Sequence, residues 1–311
     1  MNLIAAASLS GALFVLAVFG GAWLAPLLLA VPLPLLLTAL HQGVSSGIAA
    51  AGLLLGLAFA ISHSLTTVLM VFFFLLSFVL LAAHLLRTGW KMSRCLAAAY
   101  LIGVCMLVGG VVVAVWAEVD LGQRFVVHLQ PLEQQLSDAL AQSRQVDAVM
   151  LAEAKQQIRQ FIEFMGLIFP ALTVSGWFFI QAGNLAVASW YMEKKQCPWW
   201  QQEDLSHLKL PFWLVWPLIA MAACGMFADG MLQLLGINMG ILLCIPYSFQ
   251  GVAIIRALFQ HHQWPRIVWL LFVTMLLLRW EMLLLVIMVG LFNTWWDIRA
   301  HLTAHHSYNE L

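Results

Sequence analysis

Few side chains in this sequence could bind or react, and nearly all of them sit inside long apolar runs. Asp229 falls in Phe227-Ala-Asp-Gly230, with Gln233 one turn on and Asn238 just beyond. A carboxylate at membrane depth takes up a proton unless it is paired, so it reads either as an ion or substrate ligand or as a helix cap at the interface. Gln181 and Asn184 are three residues apart, on one helical face. Their uncharged amides suit hydrogen bonds to a polar solute, or equally to a neighbouring helix. Gln250 is a third amide of this kind, and Trp177 and Trp213 would supply aromatic walls for a solute. These six residues are the candidate solute-binding set.

Other chemistry is poorly supported. His301, His305 and His306 gather near the end of the chain, but a metal needs three or four ligands in fixed geometry, and no metal or other cofactor is expected. His63 and His84 read as helix-to-helix hydrogen-bonding residues, with proton relays as the alternative. No phosphate-binding glycine loop, dinucleotide fingerprint, zinc-protease or nucleophile-elbow motif occurs. Ser206 and His207 near Asp204 are neighbours in sequence, which is no sign of a triad. The five cysteines form no C-x-x-C pair and suit small apolar packing. A non-catalytic protein is expected.

The elements that position these residues must lie in a bilayer. Of 311 residues, 63% are hydrophobic and 9% charged, against roughly 25% charged in soluble domains. The 28 charges are too few to clothe a soluble surface, and none falls in the first 86 residues. Mean hydropathy is +0.93. Basic and acidic residues cancel at 14 each, which leaves no basic stripe for nucleic acid. The expectation is an all-α polytopic bundle of about 8–10 spans in a bacterial inner membrane, with the lipid bilayer as its surroundings.

Apolar runs cover residues 3–19, 23–40, 47–61, 66–86, 96–117, 161–191, 211–235 and 239–259, with two shorter ones at 267–278 and 282–296. Pro32 and Pro34 rule out a straight helix through the second run. Gly52 and Gly56 form a G-x-x-x-G pair suited to close helix packing. Arg279 and Glu281 divide the last two runs, because a single helix would bury both charges. Between residues 118 and 163 the character changes, with 11 charges in 46 residues. There Leu129, Leu132, Leu136 and Leu140 recur at helical spacing and make a candidate partner-docking face. Four segments result: membrane helices over 1–117, a polar helical hairpin over 118–160, further membrane helices over 161–300, and a short tail over 301–311.

Ten spans with an internal N-terminus place nine basic residues on the cytosolic side, among them Arg87, Lys91, Arg94, Lys194 and Lys195, and five outside. That bias fits both termini in the cytosol and the polar hairpin outside.

The run Tyr247-Ser-Phe-Gln-Gly-Val-Ala-Ile-Ile255, followed by Gly290-Leu-Phe-Asn-Thr-Trp-Trp-Asp-Ile-Arg299, resembles the YybS-like family of bacterial membrane proteins. The motif positions are Gln250, Gly251, Asn293, Asp297 and Arg299, with Asn293 where an acid is frequent in the family. Pro32-Leu-Pro34 with Gly43, Gly47 and Gly52 is more distantly similar to the S-components of energy-coupling-factor vitamin transporters. That likeness implies a small-molecule site among the helices and an energising membrane partner. The rival expectation is an assembly subunit that docks on a membrane complex through the 118–160 segment.

Overall fold

The computed structural model describes residues 3–21, 23–119, 121–142, 148–197, 200 and 209–296. Every regular element among them is helical, as the absence of charge and the length of the apolar runs dictate. Six helical stretches are long and apolar enough to cross a bilayer: Ala25–Gln42, Val44–Ser62, Leu65–Arg87, Met92–Trp116, Ala152–Lys194 and Gly230–His261. A bent pair near the end would make a seventh. This is fewer than the ten runs read from the sequence. Leu3–Phe19 and Phe212–Phe227 are apolar but shorter than the other six, and a full crossing takes about 20 residues.

The chain forms two compact units, Met1–Gly103 with Gly176–Glu203, and Val104–Ser175 with Asp204–Leu311. The first unit contains α1 (Leu3–Phe19), a 3₁₀ turn (Ala25–Ala30), α2 (Pro32–Gln42) and α3 (Val44–Ser62). Then come α4 (Leu65–Val71), a π turn (Phe72–Leu76) and α5 (Ser77–Arg87). It also holds the start of α6 (Met92–Trp116) and the end of α8 (Ala148–Lys194). Gly21 turns the chain after α1 at φ +77°, a conformation that costs glycine nothing.

Pro32 and Pro34 begin a helix rather than breaking one. The irregular stretch lies before them, and both occupy the first turn of α2, where a missing N–H has no partner to lose. At the other end of α2, Arg87 donates from Nη1 to the carbonyl of Leu40 at 2.8 Å, a basic cap on a helix C-terminus. Gly52 and Gly56 do not pack against another helix. Both are exposed, and a methyl group on either would meet nothing within 4 Å. Close approach in this unit falls at Gly47, which faces Ala39 of α2. His63 and His84 are likewise exposed, His63 as the left-handed cap of α3.

The second unit contains the rest of α6 and α7 (Leu121–Gln142) with the first part of α8. After them come α9 (Val215–Phe227), α10 (Gly230–His261), α11 (Arg266–Leu278) and α12 (Trp280–Phe292). α7 and the start of α8 lie in the polar segment, and α8 continues into the next apolar run as one helix. Its 47 residues come to about 70 Å at the α-helical rise, against about 30 Å of hydrocarbon. Its early charges Glu153, Lys155, Arg159 and Glu163 all lie ahead of its long uncharged stretch.

The expected runs at 211–235 and 239–259 are divided differently. The break falls at Ala228–Gly230, and α10 is continuous from there to His261. Gly225 and Gly236 are the close-approach point of α9 and α10, so Gly236 is an interface residue and not a turn. α11 and α12 part at Arg279 with a bend of 111°, where the sequence places its two charges. There Arg279 Nε lies 3.5 Å from Glu281 Oε2.

Candidate functional site

In the first unit three polar side chains of α8 point at defects in other helices. The π turn at Phe72–Leu76 departs from the regular α ladder, and the carbonyl of Phe74 there accepts two side-chain hydrogen bonds. Trp177 donates its indole N–H at 2.8 Å, and Gln181 donates from Nε2 at 3.0 Å. Trp177 and Gln181 are one helical turn apart, so one face of α8 delivers both donors to one oxygen. Phe78 meets the Trp177 ring edge-on at 5.9 Å between centroids.

Asn184 serves the second defect. Its Nδ2 donates to the carbonyl of Leu29, in the 3₁₀ turn, at 2.9 Å and to Ile180 of its own helix at 2.8 Å. Pro32, three residues after Leu29, has no N–H to offer in return. Ser10 of α1 similarly donates to the carbonyl of Val31 at 2.9 Å. In hydrocarbon an unsatisfied backbone group is expensive, so polar side chains must come where the ladder is interrupted.

One atom of this group is uncommitted. Gln181 is 1% exposed, and its Oε1 is buried with no hydrogen-bond partner among the described residues. The adjoining donors are already committed to Phe74. The cluster therefore presents one strong acceptor, beside an indole ring and a phenyl ring, to any donor that reaches it.

The second unit holds the remaining candidates. Gln250 is fully buried, accepts at Oε1 from the N–H of Leu210 at 2.8 Å and donates from Nε2 to the carbonyl of Gly290 at 3.1 Å. Gly251 and Gly290 are where α10 and α12 meet: a methyl on Gly251 would overlap the carbonyl of Val286, and one on Gly290 the carbonyl of Tyr247. The motif positions Gln250 and Gly251 thus lock a helix crossing. Asn293 is buried just after α12, while Asp297 and Arg299 lie outside the described residues.

Asp229 is not buried against other helices. It is exposed, in extended backbone at the break between α9 and α10, and its side chain makes no cap hydrogen bond. Trp213 is 62% exposed. Trp177, Gln181 and Asn184 therefore form one cluster in the first unit, while Gln250, Asp229 and Trp213 belong to the second and are not gathered round a common point there. On α7, Leu129 is half-buried and Leu136 exposed, and the side chains of Leu132 and Leu140 lie outside the described ones. Phe125 of α7 stacks on Phe169 of α8 at 3.9 Å.

Asn238 is the residue that reading the sequence for solute ligands passed over. It is fully buried, accepts at Oδ1 from the N–H of Ala171 at 2.7 Å and donates from Nδ2 to the carbonyls of Leu167 at 2.9 Å and Leu234 at 2.8 Å. The available signal was Pro170, a proline inside an apolar run that required a polar partner from somewhere. No group of three or more His, Cys, Asp or Glu side chains able to hold a metal occurs among the described residues. Asp204, Ser206, His207, His301, His305 and His306 lie outside them.

Comparison with curated proteins and with solved structures finds no match. A family model described as "Predicted membrane protein (DUF2232)" matches residues 8–294, a stretch that takes in both units, the π-turn cluster and the Gln250–Gly290 crossing. With nearly the whole chain matched, this protein belongs to the DUF2232 family of predicted membrane proteins.

Proposed function

We propose that the protein is a non-catalytic solute binder or transport subunit of a bacterial inner membrane, and that Gln181 is its principal recognition residue. The observation that carries this reading is the uncommitted Oε1 of Gln181, sealed among apolar walls. A buried amide oxygen left unpaired costs about 1–3 kcal/mol, so a ligand that brings an N–H or O–H there gains more than it would at a wet surface. The flanking rings of Trp177 and Phe78 favour a small, partly apolar or aromatic solute with at least one donor. An S-component-like role would add an energising partner complex, since the sequence carries no nucleotide-binding motif of its own.

The test is purification in nanodiscs without added ligand, followed by mass spectrometry of released small molecules. A donor-bearing solute retained by the parent protein and lost from Gln181→Met supports the proposal. Equal recovery from both proteins, or none from either after exposure to bacterial extract, removes it.

A second reading has an observation of its own. On α7 the exposed Leu136 and the half-buried Leu129, seven residues apart on one helical face, are the described members of the Leu129–Leu140 stripe. That face suits an assembly subunit docking on a membrane complex. A partner that co-purifies with the parent and is lost from Leu136→Asn, with the bound solute unchanged, would favour this role.

A further inference from the structure

Pro170, inside α8, has surroundings that the solute-binding reading leaves unused. Pro170 has no N–H, so the carbonyl of Gly166 loses its helical partner. The proline ring also crowds the preceding turn, and the next link of the ladder runs from the Ala171 N–H to the Leu167 carbonyl. Asn238 engages both members of that link: it accepts from Ala171 at 2.7 Å and donates to Leu167 at 2.9 Å. One side chain of α10 thus stands between two backbone groups that are each other's natural partners.

Two arrangements satisfy the same atoms. In one, the amide bridges the gap. In the other, Ala171 bonds directly to Leu167 as in an uninterrupted turn, and Asn238 keeps only its bond to Leu234 of its own helix. The direct arrangement pairs the two backbone groups with each other but leaves Oδ1 and one amide hydrogen of Asn238 unpaired. The bridged arrangement does the reverse. Opposed costs of similar kind are what a bistable element requires.

We propose that α8 hinges at Pro170, that Asn238 is the latch of the hinge, and that its withdrawal re-forms the direct Ala171–Leu167 bond. The motion would change the angle between the charged outer stretch of α8, Glu153 to Glu163, and the residues just past the proline. Phe169 lies next to the hinge and stacks on Phe125, so α7 would be carried with it. Asn238 is here a positioning residue, and the proposal stands independently of any solute at Gln181.

The test is a spin-label distance measurement on the full chain in nanodiscs, with native cysteines replaced and labels at Gln157→Cys in α8 and Met226→Cys in α9. Both positions are exposed and belong to the same unit. The parent should show a main distance from the latched state. Asn238→Leu should move most of the population to a second, discrete distance. Pro170→Ala should give that second distance whether Asn238 is present or not. If Asn238→Leu does not yield folded protein, Pro170→Ala and Asn238→Asp, which keeps the acceptor and loses the donor, make the same comparison. A distribution unchanged in Pro170→Ala, or only broadened about the original distance in the Asn238 variants, would overturn the latch and leave Asn238 a static brace.

Discussion

Gln250 donates to the carbonyl of Gly290 at 3.1 Å, beside the point where Gly251 runs against the carbonyl of Val286. The amide and the two glycines act together, because the helices approach closely enough for the hydrogen bond only where neither carries a side chain. Gly251→Ala should therefore separate α10 from α12 and weaken the Gln250 bond at once. Overpacking of this kind costs about 1–3 kcal/mol. Thermal unfolding in detergent should show a clear loss for Gly251→Ala and Gly290→Ala, with Gly52→Ala as a control, since Gly52 faces open space. A Gly251→Ala protein as stable as the control would mean the crossing is looser than described.

Trp177 and Gln181 share one acceptor, the carbonyl of Phe74. Removing either donor leaves the other in place, so each single change should be mild. Trp177→Phe keeps the ring and its contact with Phe78 while removing the N–H, at a cost of about 1 kcal/mol. The double variant Trp177→Phe, Gln181→Met leaves the carbonyl bare in an apolar wall and should cost more than the sum of the two. Unfolding free energies of all four proteins give the coupling directly. Strict additivity would show that the two bonds do not act on a common group.

Asn184 joins α8 to the 3₁₀ turn that precedes α2. Asn184→Leu preserves size and apolar packing but frees the Leu29 carbonyl, for a loss of about 1–3 kcal/mol. Ser10→Ala frees the carbonyl of Val31 in the same stretch and should be smaller, since a hydroxyl contributes a single bond. Limited proteolysis after Gly21 reads out whether the turn has loosened, and unaltered cleavage in Asn184→Leu would count against the bond as its anchor.

The helical membrane architecture was legible in the long charge-free runs, as was the change of character at residue 118. So was the break at Arg279, because two charges cannot be buried in one short span. What the residues could not disclose was who their partners are. Gln181 and Asn184 are visible as amides in an apolar run, but the carbonyls they serve belong to Phe74 and Leu29, whose side chains carry no sign of it. The π turn lies in an ordinary run of phenylalanines. Gly52 and Gly56 have packing spacing yet face outward, since spacing fixes a shared face and only neighbouring helices decide where that face points. Pro32 and Pro34 mark missing donors without saying whether a helix ends before them or begins with them. The apolar run 211–235 hides the helix break at Asp229, and the break expected at Gly236 and Asn238 does not occur. They are instead the close-packed and cross-bonded positions of a continuous α10.

Orientation in the bilayer supplies the last prediction. Arg87, Lys91 and Arg94 surround the short connection from α5 to α6, and all three are exposed. Glu193 ends a run of 29 uncharged residues in α8, and Lys194 and Lys195 after it lie over the Trp190 and Tyr191 rings at 5.2 and 5.9 Å. The positive-inside rule predicts these basic span ends on the cytosolic side, while the charges of the α7–α8 pair are mixed in sign and carry little weight. In cysteine-free protein, expressed in bacterial cells stripped of their outer membrane, a membrane-impermeant maleimide should label Met150→Cys and spare Trp90→Cys until the membrane is opened. Both side chains are exposed, so reach does not limit the comparison. The reverse pattern would put the helical pair in the cytosol, and any partner docking on Leu136 would then have to be a cytosolic one.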